Sequence, residues 1–401
     1  MNTAAQSAGV LSFEEAYEVV RERCRLILAE GKFHKEEVSL LQGWNRVLAG
    51  PVLADRDLPP FPRATRDGFA VRAQDLQNGL TTLRVVGQVR AGDNYDLPVA
   101  SGEAVEIMTG AAVPQGADAV VMVEYTERKI VELNRAGHET AQDAPESERS
   151  DHILDIGSNE PQKHQKPDSE ELVEIKRSVS VGENIVPAGA EAKAGQELLP
   201  RSTRLGVAQL ALAAAAGKAS VSVYRKPRVA ILSTGDELVE VAEKPGANQI
   251  RNSNSYSLAA AVAEYGGEPI QLPIAPDEES KLTELIQEGP KADMLVLSGG
   301  VSMGKFDLVE MVLKKLGAEF FFTGAMIQPG KPVVFGTCGG TPFFGLPGNP
   351  VSVMVTFELF ARQILQALGG AEPSRLKTAK ARLKKEVKTR TGLTRFLPAL
   401  L

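Results

Sequence analysis

Three short stretches of this sequence carry residue types that handle phosphates and metal ions. Ser233-Thr234-Gly235-Asp236-Glu237-Leu238 sets two adjacent carboxylates beside a glycine. Such oxygen ligands suit a hard cation such as Mg2+, which commonly bridges a carboxylate and substrate phosphates. The same two acids could equally favour the start of a helix through its dipole. Ser298-Gly299-Gly300-Val301-Ser302-Met303-Gly304 has three glycines that let backbone approach a ligand and turn N–H groups toward a phosphate, with Ser298 and Ser302 as extra donors. It lacks the Lys-Ser/Thr ending of a P-loop and the spacing of a dinucleotide fingerprint, so a plain turn is the competing reading. In Leu346-Pro347-Gly348-Asn349-Pro350-Val351-Ser352, Asn349 is placed to cap a helix that Pro350 opens, which makes either an anion site or simply a well-capped helix. Pro329-Gly330-Lys331-Pro332 adds a cation before an apolar run, where Lys331 could neutralise an oxyanion or lie along the surface.

What must position these stretches is legible in the hydrophobic pattern. Strand-like runs at 229–233, 270–274, 294–298, 333–336 and 343–346 alternate with helix-like segments at 255–265, 279–287, 307–316 and 350–368, after a helix at 205–216 and a strand at 221–224. That order predicts an open α/β sheet, whose ligands bind beyond the carboxyl ends of the strands, where all three rich stretches fall. Upstream, Ser12-Phe13-Glu14-Glu15 matches a capping box opening a helix of about 18 residues that ends at Gly31. From 52 to 126 the texture changes to short β-branched runs at 82–89, 105–109 and 119–123, a small β-rich domain. The stretch 130–171 is polar and aperiodic and reads as a solvated insertion. Beyond Gly370, Ala379, Ala381 and Leu383 with charged residues between them predict an amphipathic strand.

Composition narrows the function classes. At 401 residues, 43% apolar and 24% charged, the chain fits a globular protein of two or three domains. The most apolar stretch, 205–217, is short for a membrane span, and residues 1–11 lack the pattern of an export signal; no membrane role and a cytoplasmic location are expected. Cys24 and Cys338 lack metal-site spacing, and three of the four histidines fall in the polar insertion, so oxygen ligands are the expected metal chemistry. The net charge of −6 resides in 127–171, with 12 acids against 6 bases. A basic run at 375–395 holds nine Lys or Arg and one Glu but no interleaved aromatics; it reads as a solvated face, and nucleic acid is not an expected partner.

The three stretches, Pro329 to Pro332, Leu58-Pro59-Pro60-Phe61-Pro62 with Asp67-Gly68-Phe69-Ala70-Val71, and Ile107-Met108-Thr109-Gly110-Ala111 followed by Gly116-Ala117-Asp118-Ala119-Val120-Val121 resemble, in order, the motif series of the molybdopterin molybdenumtransferases, including the gephyrin E domain. The resemblance runs from about residue 10 to 398, excluding the insertion. It implies a multidomain α/β fold: an elongated N-terminal domain from 10–52 and 176–204, a β-rich domain at 53–175, a molybdopterin-binding α/β domain at 205–370 and a short β-rich segment at 371–401. It implies transfer of molybdenum from molybdate to the dithiolene of adenylylated molybdopterin, with release of AMP. It also implies Mg2+ at Asp236 and Glu237. Asp277, Asp307 and Lys331 would line the same cleft, and Thr234, Gly235, Asn254, Ser298, Gly299, Gly300, Ser302, Gly304, Pro347, Gly348, Asn349 and Ser352 would hold the pterin nucleotide. Asp67 and Thr109 would approach from the partner subunit of a homodimer, and contact with the upstream molybdopterin adenylyltransferase is expected. Without the resemblance, Asp67 is a turn acid and Thr109 a strand-end hydroxyl.

The sequence departs from that pattern in places. Pro62-Arg63-Ala64-Thr65-Arg66 stands where many members carry Asp-Asn-Ser-Ala-Met, Glu191 where a Gly-x-Asp is usual, Asn252 where an Asp is usual, and Gln328 where a Lys precedes Pro-Gly. The segment beyond Gly370 is short against the family's fourth domain. Two alternative readings therefore stand beside the active transferase: a catalytically weak pterin-binding or scaffold homologue, and a generic Mg2+-dependent nucleotide enzyme such as a phosphohydrolase.

Overall fold

The computed structural model describes residues 9–77, 81–132, 169–300, 308–374, 376–382, 384, 386–387 and 391–399. By contacts they form two units, 1–53 with 197–401, and 54–196.

In the first unit, the capping box at Ser12 forms as its spacing demands. Ser12 Oγ accepts from the Glu15 amide at 3.2 Å, and the Glu15 carboxylate accepts from the Ser12 amide at 2.8 Å. Helix α1, Phe13–Glu30, follows and stops at Gly31, whose φ of 63° is the left-handed conformation that glycine adopts without strain. Its buried stripe of Ala16, Val20 and Cys24 joins one core of the α/β sheet, together with Phe357, Phe360 and Ile364 from the helical run Pro350–Leu368. That run is apolar and long enough to cross a membrane, and 72% of it is buried against the sheet, as a core helix is. Cys24 is sealed there and its thiol is pushed up to about 12 by burial; Cys338 is buried on the other side, so both cysteines act as core packing.

The sheet itself has six strands in the spatial order Glu268–Gln271, Arg228–Ser233, Met294–Ser298, Thr341–Leu346, Val334–Cys338, Glu319–Phe322. The first four are parallel, and Val334–Cys338 runs antiparallel to both of its neighbours. Side chains alternate between two cores: Val229, Ile231, Met294 and Val296 enter one, Ala230, Leu232, Leu295 and Leu297 the other. Because both faces are covered, these strands read as unbroken apolar runs. Helices α2 (Val207–Ala215), α3 (Asn254–Glu264), α4 (Glu279–Glu288) and α5 (Leu308–Lys315) lie within two residues of their expected bounds. The strand Ser220–Tyr224 leaves the α/β alternation and pairs antiparallel with Lys35–Ser39. The expected strand through Ala379, Ala381 and Leu383 does not form: Ala379 and Ala381 are exposed without regular structure, and Leu383 lies outside the described residues. With Ala379 and Ala381 in solvent, the alternation buries no apolar face among the described residues that would hold it as a strand. Instead Thr394–Arg395 pairs with Ile327–Gln328.

The second unit is a six-stranded sheet in the order Ala119–Met122, Gly68–Val71, Glu103–Ile107, Thr81–Val89, Ser169–Ile175, Thr126–Glu132. The last two strands pair antiparallel over seven residues each, so the polar stretch read from sequence as an insertion begins and ends inside a ladder; residues 133–168 lie outside the described residues. Gly68 faces the Val121 carbonyl so closely that a Cβ there would overlap it. Gly68→Ala should therefore force the two strands apart and destabilise the unit by about 1–3 kcal/mol, read as a lowered urea midpoint.

Candidate active site

The rim of the α/β sheet is set by register. Ser233, Ser298 and Leu346 are paired across three neighbouring parallel strands, so the loops that follow leave the sheet side by side. Backbone bonds tie those loops together beyond the strands: the Thr234 amide donates to Ser298 O at 3.0 Å, and the Gly299 amide to Leu346 O at 3.2 Å. Gly299 and Gly300, with φ of 90° and 63°, turn over Thr234; side chains at either position would run into it. A Cβ at Gly348 would lie 3.6 Å from the Gly299 backbone, which puts the second and third loops in contact. A fourth connection joins them, since the Gly235 amide donates to Ala275 O at 3.2 Å.

Asn254, the first residue of α3, clamps this rim. Its Nδ2 donates to Ser298 Oγ at 2.9 Å and to Gly348 O at 2.8 Å. Its Oδ1 is buried without a partner, and so is Thr234 Oγ1, on a residue only 3% exposed. Buried oxygens of this kind are rarely left unpaired, and two of them beside one glycine turn leave acceptors open to an outside donor. Asn252, read as a lost carboxylate, is 4% exposed; its Oδ1 accepts from Ser233 Oγ at 3.0 Å and from the Ser255 amide at 3.2 Å. An amide oxygen serves both donors as a carboxylate would, so this substitution leaves no hydrogen bond unmade. The Ser233–Asn252 bond was not legible in sequence; its only signal was an asparagine just ahead of a helix.

The carboxylates gather at the first loop. Asp236 accepts from the Asp277 amide at 3.0 Å, and Glu237 lies over Gly235. Partial burial first, and then the nearby charges of Asp236 and Glu237, raise the Asp277 pKa above the ordinary carboxylate value. Among the described residues no three acids, histidines or cysteines converge closely enough to cage a cation by themselves. That donor set fits Mg2+, which binds through one or two carboxylates and completes its shell with water and substrate phosphate. In the third loop, Asn349 Oδ1 accepts from the amides of Val351 and Ser352 at 3.0 and 3.3 Å, and Ser352 is 8% exposed. The helix start is thus capped from within, leaving Pro347 and Gly348 as the parts of this loop at the rim. Lys331 is half-buried, with no ion pair among the described residues, and the adjoining Gly330 packs on Thr356 of the same helical run. Ser302, Gly304 and Asp307 lie outside the described residues.

In the second unit, Asp67 precedes the strand Gly68–Val71 and Thr109 follows Glu103–Ile107, strands paired at Gly68 and Ile107. Thr109 donates to one Asp67 oxygen through both its amide, at 2.6 Å, and its hydroxyl, at 2.7 Å. Those two bonds hold the exposed Asp67 carboxyl below its usual pKa. Glu191 accepts from Arg63 Nη2 at 2.8 Å, so two of the positions that depart from the family pattern pair with each other.

Two outcomes follow from this geometry. Asn254→Ala frees Ser298 and the Gly348 carbonyl at once and should cost about 1–3 kcal/mol by chemical denaturation, with weaker binding of any nucleotide at the rim. For Asp277, a folded-state pKa above the unfolded one gives stability that is present at low pH and lost as pH rises through the folded pKa. Asp277→Asn should therefore melt higher than the natural chain at neutral pH, the difference vanishing below about pH 4 in thermal scans.

Two protein-family models match the chain: "MoeA N-terminal region (domain I and II)" over residues 11–217, and "Probable molybdopterin binding domain" over residues 230–367. A molybdopterin molybdenumtransferase from Nostoc sp. is 36% identical over 343 residues, 84% of this chain and 70% of that protein. Another from Bacillus subtilis is 33% identical over 389 residues, 96% of this chain and 81% of that protein. Among solved structures, a molybdopterin biosynthesis MoeA protein from Pyrococcus horikosii superposes with a TM-score of 0.64 at 32% identity, covering 90% of this chain and 81% of that one. With both halves matched in order and the rim loops in register, the chain belongs to the molybdopterin molybdenumtransferase family of molybdenum cofactor biosynthesis.

Proposed function

We propose that the chain inserts molybdenum into adenylylated molybdopterin, taking it from molybdate and releasing AMP. The observation that carries this reading is the paired burial of Thr234 Oγ1 and Asn254 Oδ1, unpartnered, beneath a glycine turn that adjoins the Asp236, Glu237 and Asp277 carboxylates. Ser298, Gly299 and Gly300 supply hydrogen-bond donors and close backbone approach for the phosphates of the pterin nucleotide, with Thr234, Gly235, Asn254, Pro347 and Gly348 completing the cradle. Asp236 and Glu237 would hold Mg2+, which when bound neutralises phosphate charge. Asp277, easier to protonate than an ordinary aspartate, is suited to exchange a proton with a water or phosphate oxygen at the anhydride. Asp67, kept ionised and fixed by Thr109, is suited to orient a donor group of the substrate. The pterin brings its own sulfur ligands for the metal, so the two buried cysteines have no part in the transfer.

The same reading takes the working form to be a cytoplasmic homodimer in which Asp67 and Thr109 meet the rim of the other subunit, supplied by the upstream molybdopterin adenylyltransferase. Its direct test is molybdate-dependent AMP release from adenylylated molybdopterin by the full chain. The natural protein should turn over, and Asp236→Asn should lower the rate by about 10²- to 10³-fold while the variant still folds. Tight adenylate binding with no turnover would instead establish the scaffold reading, and ready hydrolysis of common nucleoside triphosphates the phosphohydrolase reading. Mg2+ should raise the melting temperature of the natural chain and leave that of Asp236→Asn unmoved.

A further inference from the structure

Helix α3 begins at the rim with Asn254 and ends about 15 Å away, at 1.5 Å per residue, on a second concave surface. This groove has a volume of 770 Å3 and lies between residues 200–204, the end of α3 and the stretch 366–374. Arg201, Ser202, Thr203 and Arg204 line it, together with Glu264 and Glu372. Ser202 holds a φ of 67°, a left-handed conformation uncommon for a residue with a side chain. That turn sets two arginines, three positions apart, on one groove with two hydroxyls between them.

Both guanidinium groups are pinned by neutral acceptors. Arg204 Nη1 donates to Asn45 Oδ1 at 2.9 Å, to Asn45 O at 3.2 Å and to Tyr265 O at 3.5 Å, while its Nε and Nη2 have no protein acceptor among the described residues. Arg201 Nε donates to the Tyr224 hydroxyl and the guanidinium carbon lies 5.6 Å from that ring's centroid, which leaves both Nη groups without an acceptor among the described residues. No carboxylate pairs with either group among the described residues. Burial alone pushes the Arg204 pKa below its ordinary value, as befits a cation withdrawn from water with no anion beside it.

Two fixed forks with unused N–H groups match the oxygens of a phosphate. Glu264 and Glu372 oppose an anion, but both are exposed and join no ion pair among the described residues, so neither neutralises an arginine. Water and salt screen their charge over about 8 Å, whereas the partly buried Arg204 is screened less. The groove is also far larger than one phosphate and falls within the roughly 300–1,000 Å3 of small-molecule sites.

We infer that Arg201 and Arg204 hold the phosphate group of a small phosphate monoester in this groove, where the exposed glutamates accept hydrogen bonds from hydroxyl groups of its organic part. The site is separate from the rim and stands whether or not the proposed transferase reaction does.

The test is equilibrium dialysis of the full chain against radiolabelled ribose 5-phosphate, with inorganic phosphate measured in parallel. The natural chain should bind the sugar phosphate saturably and about tenfold more tightly than inorganic phosphate. Arg201→Gln should weaken that binding about tenfold or more, and Arg201→Lys should recover part of the loss. Arg204→Lys, which keeps one donor for Asn45 and removes the free N–H groups, should also weaken it. Asp236→Asn should bind the sugar phosphate as the natural chain does, and Arg201→Gln should release AMP at the natural rate. Absence of saturable binding, or binding unchanged in Arg201→Gln, would overturn the assignment. Loss of binding in Asp236→Asn would place the phosphate at the rim and overturn it equally. Equal affinity for inorganic phosphate and ribose 5-phosphate would overturn the monoester as the ligand class. Failure of AMP release by the natural chain would remove the transferase reading and leave this site as it is.

Discussion

Everything at the rim depends on one alignment: Ser233, Ser298 and Leu346 end their strands at the same level. A parallel sheet with evenly spaced bonds gives no freedom to slip, because a shift of one residue would turn every buried side chain to the wrong face. The two cores on either side of the strands, each filled by alternate residues of the same runs, enforce that level from both faces. The backbone bonds from Thr234 to Ser298 and from Gly299 to Leu346 then carry the order of the sheet one residue into the loops. The proposed ligand cradle is the continuation of the ladder rather than a separate construction.

That dependence explains what was legible in sequence. The strands at 229–233 and 294–298 announce themselves because burial on both faces leaves only apolar residues, and α1 because its capping box and terminal glycine bracket it. The glycines of the second loop and the carboxylates of the first could be named as ligand-type residues from type alone. What could not be read is anything that joins distant segments. The bond from Ser233 to Asn252, the two-way clamp of Asn254 and the meeting of Gln328 with Arg395 each link side chains or strands that sequence spacing does not relate. The strand expected through Ala379 and Ala381 failed for the complementary reason: alternation predicts an amphipathic strand only if something apolar faces it.

The departures from the family pattern take on a physical shape. Asn252 accepts two hydrogen bonds, and Glu191 accepts one from Arg63 Nη2, so both substituted side chains are engaged. In both cases the substitution changes local charge more than local geometry, which shifts the question of activity from folding to electrostatics. The capped start of the helix at Asn349 points the same way: its first amides are already spent on the asparagine oxygen, so charge at this rim must be balanced by side chains and not by the helix end.

The long antiparallel pair in the second unit brings Ser169 opposite Glu132. Whatever joins those two positions starts and finishes within one strand spacing, and the ladder closes through its own backbone bonds without reference to what lies between. The junction between Glu132 and Ser169 therefore bears a change of sequence with no adjustment in the sheet around it. It is a natural port at which sequence can drift, or a foreign peptide be spliced in, while the rest of the chain keeps its form.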